Sequence, residues 1–310
     1  MGHAIRAWLW AALLQLVFAT ALRGAQAQPA AADAGTQGTA SPSANGSYLG
    51  SRLVSPKSES SCPPDIGPMY RADAIVTGTD MRQRPWGFAQ TLREVLVKSS
   101  GDPRLKDDPR TRQLAAHADR FVACFDYADM MAGIPLHDDQ GTYDRPHKLT
   151  VSFDPAKIDA LLAQLGDKPW RGERPVVVPL LLVHGPKPPA YLLSAEIPAG
   201  EAQRGSFAAA AGQFGIDVRI PDDAELVASG ASVDHLPSAL PPSRGGEAVV
   251  TGTLDWSEEL PGWIGKWHMR WQGADYAWGI SGVNYDAAFR NIVRGVVLVA
   301  SGAGTPDEGD

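Results

Sequence analysis

Leu149-Thr150-Val151-Ser152-Phe153-Asp154-Pro155-Ala156-Lys157-Ile158-Asp159-Ala160-Leu161-Leu162-Ala163-Gln164-Leu165-Gly166 changes its period half-way along. Leu149, Val151 and Phe153 alternate, as in a half-buried strand whose successive side chains point to opposite faces. From Asp154 the spacing is helical. Asp154 caps, Pro155 takes a first position that needs no amide hydrogen, Ile158, Leu161, Leu162 and Leu165 share a face, and Gly166 supplies the stop. A strand and a helix this close, each apolar on one side, need further elements to cover them.

Those elements can be read on both sides. Upstream, Ala74, Ile75 and Val76 suggest a short strand. Pro85 then opens a helix with Phe88, Ala89, Leu92, Val95 and Leu96 on one face, ended by Gly101 and Pro103. Asp108 and Pro109 open a second helix, in which Leu114, Ala118, Phe121, Val122 and Phe125 recur at helical spacing. Gly133 to His147 reads as a polar loop. Downstream, Val176 to Val183 is a nearly continuous apolar run suited to a central strand, although Pro179 would remove a ladder donor. Tyr191 to Leu193 is a pairing candidate. Phe207, Ala210, Ala211 and Phe214 mark a helix stopped by Gly215, and Ile216, Val218 and Ile220 alternate. After a Pro- and Ser-rich stretch from Pro237 to Arg244, strands recur at Ala248 to Leu254, Ile264 to Trp271 and Tyr276 to Ile280, and a last helix starts near Tyr285. The expectation is an α+β protein of two consecutive mixed sheet-and-helix units, residues 70–172 and 173–302. The second carries an antiparallel Trp-rich meander and a closing C-terminal helix; 303–310 is a tail.

The N-terminus reads as an export signal. Arg6 precedes an apolar stretch from Ala7 to about Leu22, and Ala25-Gln26-Ala27 is a small-x-small cleavage site. A retained anchor is the alternative, but the apolar run is shorter than the roughly 20 residues that span a bilayer. Residues 28–69, rich in Ala, Ser, Gly, Pro and Gln, read as a disordered tether. The expected compartment is therefore the periplasm, with no membrane span after cleavage. Removing residues 1–27 leaves 26 basic against 35 acidic side chains, a net charge of −9. That balance argues against nucleic acid or an anionic membrane surface as the main partner.

Cys62 and Cys124 are the only cysteines. In an oxidising compartment such a pair is a candidate disulfide. The other reading is two unrelated thiols, with Cys124 a small apolar residue on the second helix.

Several runs together resemble a known family. Thr91-Leu92-Arg93-Glu94-Val95-Leu96-Val97-Lys98-Ser99-Ser100-Gly101, Leu149-Thr150-Val151-Ser152-Phe153-Asp154, Trp170-Arg171-Gly172-Glu173-Arg174-Pro175 and Ala248-Val249-Val250-Thr251-Gly252-Thr253-Leu254, with the Trp-rich strand ending near Trp271, are similar to the DUF2066 family of bacterial exported proteins. The resemblance extends over residues 72–300. It departs at Thr253, where members often have a basic or aliphatic residue, and in a longer 133–147 loop. It implies an envelope protein of unassigned role and carries over no catalytic residue.

Trp256, Trp263, Trp267, Trp271 and Trp278 fall close together with Tyr276, and 263, 267 and 271 share a strand face. Trp263, Trp267, Trp271, Trp278 and Tyr276 are the candidate binding row for a glycan or a protein partner; the competing reading is a buried face. His137, Asp138, Asp139, Asp144 and His147 match no closed metal motif, so no metal is assigned. Nucleophile elbow, metalloprotease helix, phosphate loop and Cys-His pair are all absent, and His184 and His235 stand isolated. No catalytic residue and no cofactor are assigned. The expected function is a non-catalytic accessory or binding protein of the cell envelope whose partner is an envelope protein or cell-wall glycan. The alternatives are an envelope hydrolase with a dispersed site and an assembly subunit.

Overall fold

The computed structural model describes residues 62–63, 65–134, 145–237 and 244–306. The first β-sheet has three antiparallel strands in the order β1-β3-β2: β1 (Arg71–Thr77), β2 (Val122–Asp129) and β3 (Pro146–Phe153). On one face lie α1 (Arg84–Ser100), α2 (Pro109–Ala115) and α3 (Pro155–Leu165). Their buried residues, among them Leu92, Leu96, Ile158 and Leu162, form one core with Leu149, Val151 and Phe153 of β3. Asp154 caps α3 through the amides of Ala156 and Lys157, and Gly166 ends it in the left-handed conformation, as the local signals require.

The second helix is shorter than its apolar spacing suggests. It stops at Ala115, and Val122, Phe125 and Tyr127 belong to strand β2. Apolar residues at that spacing serve a helix face or one side of a bulged strand equally well, and β2 has a register shift between Val122 and Cys124. Pairing with β3 decides between them. Cys124 therefore sits on a strand, where it is disulfide-bonded to Cys62.

The second sheet runs β5-β4-β7-β8-β9, with β6 also paired to β4. Its strands are β4 (Val176–His184), β5 (Tyr191–Leu192), β6 (Asp217–Val218), β7 (Glu247–Ser257), β8 (Gly262–Trp271) and β9 (Ala274–Val283). β4 and β7 are parallel, and β7, β8 and β9 form the antiparallel meander. Pro179 is accommodated in mid-strand for a topological reason. The carbonyls of Val177 and Leu181 accept from Arg219 and Leu193, on the side of β4 away from β7. Pro179 shares that parity, so its missing amide falls in the gap between β6, paired at 176–177, and β5, paired at 182–183. A short helix, α5 (Asp223–Ala228), absent from the sequence reading, is fixed by a capping box between Asp222 and Glu225.

Helices α4 (Glu201–Phe214) and α6 (Tyr285–Ser301) cover this sheet, and Phe207 and Phe289 stack at 5.0 Å between ring centres. The tryptophans lie beneath them. Trp267 and Trp278 are almost fully buried, the indole of Trp267 donates to Asn291 Oδ1 at 2.9 Å, and that of Trp278 donates to the Asn291 carbonyl at 3.2 Å.

The seam between the two halves is built around the C-terminal end of α1. A helix leaves its last carbonyls without internal partners. Here Arg174 Nη2 donates to Lys98 O at 2.6 Å, the Trp170 amide to Ser99 O at 2.7 Å, and Ser301 Oγ to Gly101 O at 2.9 Å. Gly101 has φ of +76°, and a Cβ there would lie 2.5 Å from Ser301 Cβ and 2.8 Å from the Trp170 ring. Phe214 packs against both cores.

Two outcomes follow from this packing. Gly101→Ala should cost about 3 kcal/mol from left-handed strain plus overlap. Gly166→Ala, with φ of +83° and open space, should cost only about 1 kcal/mol. Denaturant midpoints compare the two, and equal losses would show that the seam is not crowded. Reducing the disulfide, whose cysteines are 62 residues apart, should lower stability by about 4 kcal/mol in the chain-entropy account; a midpoint unchanged by reductant would rule that out.

Candidate functional site: a trough along the seam

Three neighbouring cavities follow the seam. The largest, about 740 Å³, lies along β1, with Trp86, Gln90, Glu94 and Lys98 of α1 on one side and Ala209, Gly212 and Gln213 of α4 also in its wall. A second of about 270 Å³ shares Gln90, Glu94 and Gln213 with it. The second in turn shares Val97, Lys106 and Phe214 with a third of about 550 Å³, which reaches α6 and β9. Shared walls make the three one trough.

The wall on β1 is a sheet edge. Among the described residues β1 pairs only with β3, in the register Arg71↔Ser152 to Thr77↔Pro146. Parity follows from the next residue: the Gly78 amide donates to Arg145 O at 2.7 Å. Ala72, Ala74 and Val76, which alternate with it, therefore turn their backbone groups toward β3, and Arg71, Asp73 and Ile75 turn theirs toward the trough. Arg71 is already satisfied, its amide donating to Pro68 O and its carbonyl accepting from Lys98 Nζ at 3.1 Å. Asp73 and Ile75 have no backbone partner on that side among the described residues.

Side chains grade the trough from apolar to cationic. Ile75, Trp86 and Met130, 60%, 57% and 54% exposed, stand at the β1 end, beside Arg71 and Lys148. Arg93 and Lys106 line the middle. Arg104, Arg290 and Arg294 line the far end with Asp107 and Asp108. With Lys98, eight basic and four acidic residues line the trough, the other two acids being Asp73 and Glu94; Lys98 is paired with Glu94, and Arg104 with Asp102. The chain as a whole has the opposite balance, 28 basic to 35 acidic. Burial raises the Glu94 carboxyl above its ordinary value, although Lys98 Nζ lies 3.0 Å away and pulls it down.

The expected Trp row is elsewhere and faces inward. Trp263, Trp267 and Trp278 are buried beneath α6 and α4, and Trp271 and Tyr276 pack half-buried on the same core. The shared parity of 263, 267 and 271 was legible, but that face is the one the helices cover, so the row offers no exposed docking stripe. Of the polar loop, His137, Asp138, Asp139 and Asp144 lie outside the described residues, and His147 Nδ1 lies 2.9 Å from Arg145 O. Among the described residues no group of three His, Cys, Asp or Glu side chains is placed to hold a metal ion, and no helix is long and apolar enough to cross a membrane. His184 is not isolated: the β4–β7 register sets its Nδ1 2.6 Å from Asp255 Oδ1, and Thr253 Oγ1 donates to the other oxygen. The trough residues went unread, though Trp86 carried a signal, being a large aromatic off the apolar face of its helix.

Residues 65–171 match a domain of unknown function, DUF8605. DUF2066 is not matched, which overturns the resemblance drawn from the short runs. A strand, a capped helix and an apolar strand in that order are what packing a helix on a sheet demands, so such runs do not discriminate between families. No curated protein and no solved structure matches the chain. The segment similar to DUF8605 spans β1 through α3, so it supplies the strand edge and the α1 wall, while the α4 and α6 walls lie beyond it.

Glu94 provides a test of the trough's polarity. A carboxyl raised in the folded state holds its proton more tightly there than in the unfolded chain, so its ionisation removes stability as pH rises through that window. The stability of Glu94→Gln relative to wild type should therefore increase from about pH 4 to about pH 7. A pH-independent difference would place Glu94 in an ordinary aqueous setting.

Proposed function

We propose that this is an exported protein of the periplasm that acts without catalysis, binding another protein of the cell envelope through the seam trough. The observation that carries the reading is the β1 edge, where the backbone groups of Asp73 and Ile75 face a cavity of about 740 Å³ beside exposed Ile75, Trp86 and Met130. Exposed apolar groups gathered in a concave site are a common mark of protein recognition. Export is supported by Arg6, the apolar run and Ala25-Gln26-Ala27, and the Cys62–Cys124 bridge suits an oxidising compartment. A glycan partner loses its support with the Trp rings buried in the core.

The rival reading, an envelope hydrolase, rests on the His184–Asp255 pair. Both side chains are exposed to solvent, and no hydroxyl or thiol bonds the other ring nitrogen of His184 among the described residues, so the binding reading is preferred.

A photo-crosslinking residue placed at Trp86, in cells making the full chain, should yield a discrete adduct with an envelope protein. The same residue at Val227, 76% exposed on α5 and outside the trough, should not. Equal adducts at both positions, or none at either, would remove the trough from the function. Mass spectrometry of the periplasmic fraction should find a chain beginning at Gln28; a retained Met1 would refute cleavage, and absence of the chain from that fraction would refute export as a periplasmic protein.

A further inference from the structure

We propose that the trough takes an extended acidic peptide segment that adds to β1 as a further strand. This deepens the binding reading above and rests on it. Two outward N–H groups and two outward C=O groups, on alternate residues of one strand, form a periodic pattern of donors and acceptors. The ligand that matches it residue for residue is another extended backbone. Arg71 closes the ladder at one end, because Pro68 and Lys98 already satisfy its backbone. From that end the pairing positions are Asp73 and Ile75, which line the trough, and then Thr77, which shares their parity at the far end of β1. The opposite edge, β2, is irregular at its start, with a register shift between Val122 and Cys124 and the bridge to Cys62, and irregular pairing is a usual protection of an edge.

Side chains select what the backbone admits. Residues of an added strand alternate between the α1 side, where Trp86 and Gln90 await them, and the open sheet face, where Ile75 and Lys148 do. Apolar residues fit against Ile75 on the open face and against Trp86 on the α1 side. The twofold excess of basic side chains along the trough, in a chain whose overall charge is −7, calls for acidic residues in the rest of the segment.

The test uses the full chain and fluorescent peptides of about six residues, alternating Asp or Glu with Val and one Phe, compared with peptides carrying Lys for each acid. Fluorescence anisotropy should show the acidic peptides binding at least about tenfold more tightly than the Lys series, and their binding should weaken with salt. Hydrogen exchange should show the amides of Asp73 and Ile75 becoming protected when the acidic peptide binds. Ile75→Pro deletes one outward amide and spares the β3 ladder, so with an unchanged circular dichroism spectrum it should weaken binding about tenfold. Should that variant fold poorly, Ile75→Glu keeps the backbone, adds a like charge and should give the same loss. The inference is overturned if no peptide binds, if the Lys series binds as well, if neither Ile75 variant weakens binding, or if the two amides are already protected in the free chain. Adducts at Trp86 combined with binding insensitive to Ile75→Pro would keep the trough as a binding site and discard only the added strand.

Discussion

The carbonyls at the C-terminal end of α1 are the point on which the two halves of the molecule are joined. Left bare in a partly buried setting they would each carry a desolvation cost. Their donors come from three separate places: the Trp170 amide, Arg174 and the end of α6 at Ser301. Arg174 also stacks on Trp170 at 4.2 Å, and burial lowers it to about 10 while it remains a cation at neutral pH. Arg104 adds a bond from the turn after α1 to Ala303 O, just beyond α6. α1 thereby belongs to both halves, its apolar face in the first core and its end held by the second.

This join explains why a trough exists. α1 covers the first sheet with Phe88, Leu92, Val95 and Leu96, so its opposite stripe, Trp86, Gln90, Glu94 and Lys98, is left facing α4. Phe214 closes the gap at one level and packs on both cores. Beside it, α1 and α4 both wall the largest cavity, which runs along the edge of β1. Lys98 has a double task there, because it neutralises Glu94 and satisfies the Arg71 carbonyl, which closes the free edge at its Arg71 end.

Local signals carried much of this architecture. The caps at Asp108 and Asp154 and the stops at Gly101, Gly166 and Gly215 each bind the chain to its own neighbours, so a single sequence displays them. What failed was non-local. The apolar residues from Leu114 to Phe125 suit a helix until the register with β3 claims Val122 onward. The parity of the tryptophans was readable, but whether their face turned toward helices or solvent depended on α6, far along the chain. Edge status is less legible still. Nothing within Arg71–Thr77 says that β3 pairs on one side and nothing on the other, since that follows from the strand order β1-β3-β2.

An exposed edge beside Ile75 and Trp86 invites self-association, and the trough's walls bear on whether that occurs. A second copy offering its own β1 would bring its α1 and α4 with it, because those helices flank the strand in every molecule. Two walled edges cannot approach to the roughly 4.8 Å spacing of paired strands without helix meeting helix. The positive lining adds repulsion between two such troughs, and it acts within the roughly 8 Å over which charges are felt at physiological salt. The shape that does fit is a single extended segment with no sheet behind it. The walls of the trough and its basic lining therefore oppose pairing of β1 with its own copies, and the space they leave suits the single extended segment proposed above.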